Sequence, residues 1–427
     1  MWEIIEANRR KSVALIFILG SVLAALGAAI GYFFTPEFPA EGVFTGIVIA
    51  MVIWIIMLLA SYAGGEQILL ATAGAHEVKH DDAPQLFNIV EEMKIASGLP
   101  NMPKVYLINS QVPNAFAVGL KPERAAVAVT TGLVAKLNRD ELQGVVGHEI
   151  GHIANRDTLY MTMAGVTVGA VVILADLFLR GLWYSGMSGG RRRSSSSQGG
   201  GQLMAILMIV AIVLAILSPF LAQLLYFATS RKREYLADAS SAQYTRYPEG
   251  LASALEKISA NQDKKFSKSR TLAPMFIINP MAASGKMIGL FSTHPPTQDR
   301  VRILRGMMKG SSLQAYEQVY RKLHQNEHLI GAPSLLHASQ EKGIRKPSPE
   351  AQQHNPKKSL RDIKDILHKT EGYGILACAC GVRMKIPPNF EHKKVRCPRC
   401  GRVHEVPLEL LAATIIARDY AKNPPET

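Results

Sequence analysis

Two hydrophobic patterns alternate along this chain and predict different surroundings. In residues 12–34, 44–63, 158–183 and 203–229 apolar positions run almost without interruption. The first run carries no charge over roughly twenty residues, enough for a helix to cross a bilayer core of about 30 Å. The second repeats it. The third carries Asp176 and Arg180, which must face protein or water if the segment enters lipid. Four crossings are the simplest count. Small residues around Ala24 to Ala29 suit a signal-peptide cleavage site, but the run continues through Tyr32 and Phe34 and a second span follows at once. An uncleaved anchor is therefore expected.

Elsewhere apolar positions recur with the period of helices or strands. Leu86, Ile89, Val90 and Met93 share one face of a helix over residues 84–97. Strand-like runs follow at 104–109, 114–118 and 125–130, the last two separated by a turn-rich 119–123. Asn138, with Glu141 three residues on, caps a helix whose Leu142, Val145, Val146 and Ile153 keep helical spacing. Further helices are predicted over 231–244 and 250–261, and a Pro-rich turn leads into another within 279–305. Residues 184–202 are Gly/Ser-rich with an Arg triplet. Residues 337–370, rich in Gln, Lys and Pro, read as a flexible linker.

Charge sets the orientation. The chain has a formal charge of +14 although only 19% of its residues are charged and 48% are hydrophobic. Arg9, Arg10 and Lys11 precede the first apolar run, whereas the loop after it holds Glu37 and Glu41 and no Lys or Arg. The positive-inside rule places the N-terminus in the cytoplasm. Arg231, Lys232 and Arg233 after the fourth run agree; Arg191, Arg192 and Arg193 do not. That triplet must lie outside, or the third and fourth runs form a hairpin that does not cross fully. All four cysteines fall between Cys378 and Cys400, which excludes a disulfide framework and suits a reducing compartment.

The capped helix carries His148-Glu149-Ile150-Gly151-His152, an H-E-x-x-H pattern. Residues four apart on a helix share a face, so both imidazoles can converge on one ion. Glu149 is rotated about 100° from His148, beside the metal, where it can take a proton from an attacking water. The flanking Gly147, Gly151 and Ile153 suit a helix buried under a site. A catalytic zinc needs a third protein ligand and an open position. Glu234 and Asp238, four apart after the fourth run, offer two carboxylates: one could ligate while the other accepts a histidine ring N–H. His152 and Glu234 can share a metal only if an even number of spans separates them, and two do.

With these motifs in place the chain resembles the HtpX-type membrane zinc metalloproteases, relatives of the CAAX prenyl proteases. The resemblance covers about residues 1–306. It rests on Pro113-Asn-Ala-Phe-Ala117, Leu137-Asn-Arg-Asp-Glu-Leu142, His148-Glu149-x-x-His152, Glu234-x-x-x-Asp238 and Ser292-Thr-His-Pro-Pro-Thr-Gln-Asp-Arg300. It implies zinc ligands His148, His152 and Glu234, with Glu149 as general base. It also implies a strand at Asn114, Ala115, Phe116 and Ala117 that pairs with the substrate backbone. Asp238 and Arg300 would support the site, and His294, with Arg300, would face the cleft and stabilise an oxyanion. The family's catalytic domain lies in the cytoplasm and cuts misfolded or surplus membrane proteins, as a quality-control endopeptidase.

Cys378-Ala-Cys380-Gly and Cys397-Pro-Arg-Cys400-Gly form two turn-like knuckles whose four thiolates suit a second, structural zinc in a small β ribbon. The first is C-x-C rather than C-x-x-C. This ribbon is not part of the usual family pattern. Its Lys and Arg residues could touch nucleic acid or anionic lipid, or surround a protein-binding surface; no interleaved aromatics favour bases.

The expectation is a mainly α, multi-span membrane protein with a zincin-like (gluzincin) α+β catalytic domain and a β zinc ribbon. Its parts are a transmembrane hairpin (1–64), the catalytic domain (65–156 and 230–336), a second hairpin (157–229), a linker (337–370) and the ribbon (371–410). Protein substrates, above all membrane proteins, and the bilayer of the cytoplasmic membrane are its expected partners. The rival reading is a non-catalytic membrane scaffold that recruits partners through the ribbon. Such a scaffold has no need of Glu149, Glu234 and His294 around a zinc.

Overall fold

In the computed structural model the described residues are 37–159, 161–163, 231–260, 276–277, 295–307, 310–336, 343–388, 390 and 392–407, with part of 1–35. Residues 164–183 of the third apolar run, the fourth run, and His294 lie outside them.

The second apolar run forms α1 (Pro39–Ala73), the one described helix long and apolar enough to cross a membrane. Its first part exposes Phe44, Ile49, Ile56 and Leu59, and its last turns bury Gly65, Glu66, Leu69 and Leu70. The change falls at Gly64, whose non-helical backbone (φ −157°, ψ 29°) bends the helix. The first run packs on α1 through glycines. A methyl group added at Gly27 or Gly31 would collide with the backbone carbonyl of Gly46 or Gly42, so the two backbones touch.

A four-stranded sheet of order β1-β2-β4-β3 follows: β1 (Ala75–Glu77), β2 (Lys104–Ile108), β3 (Ala115–Val118) and β4 (Ala126–Thr130). β2 and β4 are parallel, and β3 is an antiparallel edge strand with Ala115 opposite Val129. Val105, Leu107, Ala115, Ala117, Val127 and Val129 enter the main core. There they meet α2 (Pro84–Ser97), whose Leu86, Ile89, Val90 and Met93 are buried as its periodicity predicts.

Thr130 caps α3 (Thr131–Lys136), and Asn138 caps α4 (Arg139–Ala154), the H-E-x-x-H helix. The Asn138 side chain accepts from the Glu141 amide and Glu141 accepts from the Asn138 amide, each at 2.9 Å, a complete capping box. Against α4 lie α5 (Arg231–Thr245) and α6 (Pro248–Ser259). Further helices are α7 (Thr297–Gly306), α8 (Leu313–Leu323) and α9 (Ala332–Leu336).

The stretch 337–370 departs from the expected flexible linker. Its described residues are strapped to the first turn of α4. Arg345 donates to Asp140 (2.8 Å), Gln143 (2.6 Å) and the Thr245 carbonyl (2.9 Å), and Ser348 N donates to Asp140 (2.8 Å). The strap continues into α10 (Pro356–Thr370), which buries Ile363 and Leu367. Polar composition suggests disorder, but these polar groups have fixed partners and α10 is amphipathic. The cysteine module has two antiparallel hairpins, β5 (Gly374–Ala377) with β6 (Arg383–Ile386) and β7 (Lys394–Arg396) with β8 (Val403–Glu405). Arg383 ties it to α10 through Asp362 (2.7 Å) and Asp365 (2.8 Å).

Candidate metal centre

The α4–α5 contact builds the site because α4 presents glycines to α5. A Cβ at Gly151 would lie 3.0 Å from the Ser240 Cβ, and one at Gly147 would lie 3.1 Å from the Ser241 Oγ. Ser241 also donates to the Gly144 carbonyl at 2.7 Å. This approach brings the α5 carboxylates to the α4 histidines.

His148 and His152 lie one turn apart with their rings at 89° and their Nε2 atoms 3.2 Å apart. One Glu234 oxygen lies 3.4 Å from His152 Nε2 and the other 3.7 Å from His148 Nε2. A tetrahedral zinc about 2.0–2.1 Å from each ligand requires ligand atoms roughly 3.3 Å apart, so this donor set fits the ion. All three side chains are buried.

Each histidine turns its other nitrogen to a carboxylate. Asp238 accepts from His148 Nδ1 at 2.9 Å, and Asp157 accepts from His152 Nδ1 at 3.1 Å, leaving Nε2 of both rings for a metal. Asp157 escapes a reading of the sequence because it lies beyond the helix end. The chain reaches it through Arg156, which takes a left-handed conformation (φ 58°) and turns back on α4. The spacing H-x-x-x-x-D is the only signal, and it is weak without that turn.

Arg300, 1% exposed, donates to Asp238 through Nε (2.8 Å) and Nη2 (2.7 Å) and to the Ile277 carbonyl through Nη1 (3.1 Å). It is thus buried behind His148, where it holds Asp238 and lies 3.8 Å from Glu234. His294 is outside the described residues. Asn114 to Ala117 are buried in and beside the sheet edge.

Burial would raise the Asp238 carboxyl, but the Arg300 guanidinium outweighs it and holds that group below its ordinary range. Burial would lower His152, but hydrogen bonds to Asp157 and Glu234 lift it to about 10; His148 is raised in the same way by Asp238 and Glu234. Glu149 is raised chiefly by burial, opposed by the two histidines. A carboxylate shifted upward is the better proton acceptor near neutral pH.

The four cysteines form a second cluster. Cys378 and Cys400 sulfurs are 3.5 Å apart, and those of Cys380 and Cys397 are 3.6 Å apart. Tetrahedral zinc with Zn–S of about 2.3 Å calls for roughly 3.75 Å, so the cluster fits that ion too. Backbone N–H groups of Cys400 and Arg399 draw the Cys397 thiol down to about 6. His404, also unforeseen from the sequence, lies 3.2 Å from the Cys378 sulfur through Nε2.

A buried helix that turns two imidazoles and a neighbouring carboxylate onto one point, with a further glutamate beside them, is the arrangement of a metal-dependent peptidase. The chain belongs to Peptidase family M48, which matches residues 80–308 and whose members are zinc-dependent metalloproteases. It is similar to the protease HtpX homolog of Dictyoglomus thermophilum, with 45% identity over 307 residues, covering 72% of this chain and 94% of that protein. The corresponding proteins of Listeria monocytogenes serotype 4b and Streptococcus agalactiae serotype III are 42% and 41% identical, each covered in full by 72% of this chain. More than a quarter of this chain thus lies outside each match. Among solved structures, S. mikatae Ste24p aligns with a TM-score of 0.35 at 17% identity, over 70% of this chain and 66% of that one, too distant to bear on the fold.

Proposed function

We propose that this metalloprotease is a membrane-embedded endopeptidase with zinc held by His148, His152 and Glu234 and with Glu149 as general base. The convergence of the two Nε2 atoms and the Glu234 carboxylate carries the reading. When bound, zinc would polarise the scissile carbonyl and favour ionisation of the attacking water. Glu149 takes the proton from that water and returns it to the leaving amine. Asp157 and Asp238 hold the histidine tautomers, and Arg300 keeps Asp238 ionised. His294 is proposed as the oxyanion donor on the resemblance of its motif alone. The edge strand β3 receives the substrate as an added strand.

Membrane proteins are the proposed substrates, cut as part of quality control. What supports this is the junction of span and sheet. The loop between β3 and β4 sits where α1 bends: Lys121 lies 5.9 Å over the Tyr62 ring, and Arg124 donates to the Ala63 carbonyl (2.8 Å) and pairs with Glu66 (2.5 Å). A chain leaving the bilayer there would meet the end of β3. The proposed placement is multi-pass in the cytoplasmic membrane, with residues 157–229 as a second hairpin and the catalytic domain in the cytoplasm. The cysteine module is proposed as a ribbon around a structural zinc, serving a protein partner.

The test is zinc content together with cleavage of an unfolded membrane protein, wild type against Glu149→Gln. Two zincs in both proteins, with cleavage by the wild type alone, is the expected result. Equal cleavage by Glu149→Gln, or none by a zinc-loaded wild type, would refute the mechanism.

A further inference from the structure

A strand that receives a substrate backbone must have open hydrogen-bonding groups on its outer edge. In β3, Asn114 O accepts from Thr130 N, so the outward-facing groups belong to Ala115 and Ala117. Both groups of Ala115 are already engaged within the chain, its N–H by the Asn114 side chain at 3.1 Å. Ile277 N donates to Ala115 O at 3.1 Å. The neighbouring Phe276 ring packs edge-on against Phe116, with centroids 5.3 Å apart at 89°. Beyond the edge, the Ile277 carbonyl accepts from Arg300 Nη1 at 3.1 Å. The dipeptide therefore bridges the sheet edge and the shell that supports His148. Phe276 is 0% and Ile277 2% exposed, so no water competes for these contacts.

We propose that Phe276 and Ile277 form an autoinhibitory contact: they fill the place of a substrate backbone and of one aromatic side chain on β3. An incoming strand must take the Ala115 carbonyl from Ile277 and the face of Phe116 from Phe276. Segments offering an aromatic residue to Phe116 recover the contact they displace, so they are the favoured substrates. The inference rests on the proposed role of β3 as the substrate strand.

Peptide affinity separates it from the question of hydrolysis. The full-length chain in detergent, carrying Glu149→Gln, is titrated into a fluorescent unstructured peptide containing a single phenylalanine. Ile277→Pro removes the donated N–H, and Phe276→Ala removes the ring but keeps that N–H. Each is expected to tighten binding about five-fold, the weight of one net hydrogen bond or a comparable packing contact. With Glu149 restored, each should lower KM by a similar factor.

Unchanged or weaker binding in both variants overturns the proposal, as does absence of peptide binding by every variant. Loss of folding in both overturns it too, because the dipeptide would then be structural. Cleavage that depends on Glu149 while both variants bind no better leaves the protease reading intact and removes only this inference. Absence of cleavage with tighter binding does the reverse.

Discussion

Replacing Asp157 and Asp238 one at a time should separate metal affinity from stability. Asp157 is fully buried and accepts from His152 Nδ1 at 3.1 Å. In Asp157→Asn the amide oxygen can still accept that hydrogen bond, so little packing is lost. What disappears is the negative charge that raises the basicity of the ring. Loss of such a partner weakens metal binding about 10–100-fold, or roughly 1.4–2.7 kcal/mol. Asp238 plays the same part for His148, but it also neutralises Arg300, which is 1% exposed. Asp238→Asn leaves that guanidinium with Glu234 at 3.8 Å as its nearest carboxylate, and breaking a buried pair in this way costs about 3–5 kcal/mol. Zinc affinity measured against a chromophoric chelator, with chemical denaturation of the metal-free proteins, gives both quantities. Asp157→Asn should lose affinity with the smaller loss of stability, because Glu234 still pairs with His152 at 3.4 Å; Asp238→Asn should lose both. Wild-type affinity in Asp157→Asn, or equal stability losses in the two variants, would refute the second-carboxylate argument.

Three more predictions follow from the same geometry. Metal binding must displace the proton from His152, whose pKa without metal is raised to about 10, and His148 is raised as well, so zinc affinity should rise at least about tenfold per pH unit between pH 6 and 8. A flat chelator-competition profile over that range would contradict it. Cys397→Ser with Cys400→Ser should lower bound zinc from two to one per chain, by elemental analysis, while Glu149-dependent cleavage persists. Gly151→Leu should abolish zinc binding at the first site, because the added side chain meets Ser240 and the Ala237 carbonyl and pushes α5, with Glu234, away from α4. Retained zinc at that site would show that α5 can yield without moving its carboxylate.

Local information determined much of this protein from its sequence. Helical spacing placed His148 and His152 on one face, the Asn138–Glu141 box marked the start of their helix, and the face of α2 followed its period. These features depend on residues within a few positions of one another. Two carboxylates on α5 were legible as candidates, but their positions were decided in space: Glu234 beside both Nε2 atoms and Asp238 behind His148. Asp157 and His404 needed tertiary structure because the turn at Arg156 and the pairing of β7 with β8 carry them to their partners. The strap from residue 343 to α10 reads as flexible from its composition, which does not record where Asp140, Gln143 and the Thr245 carbonyl wait as partners. Nor can sequence spacing show that Ile277 lies on Ala115, since that contact joins segments about 160 residues apart, and only packing of the whole core brings them together.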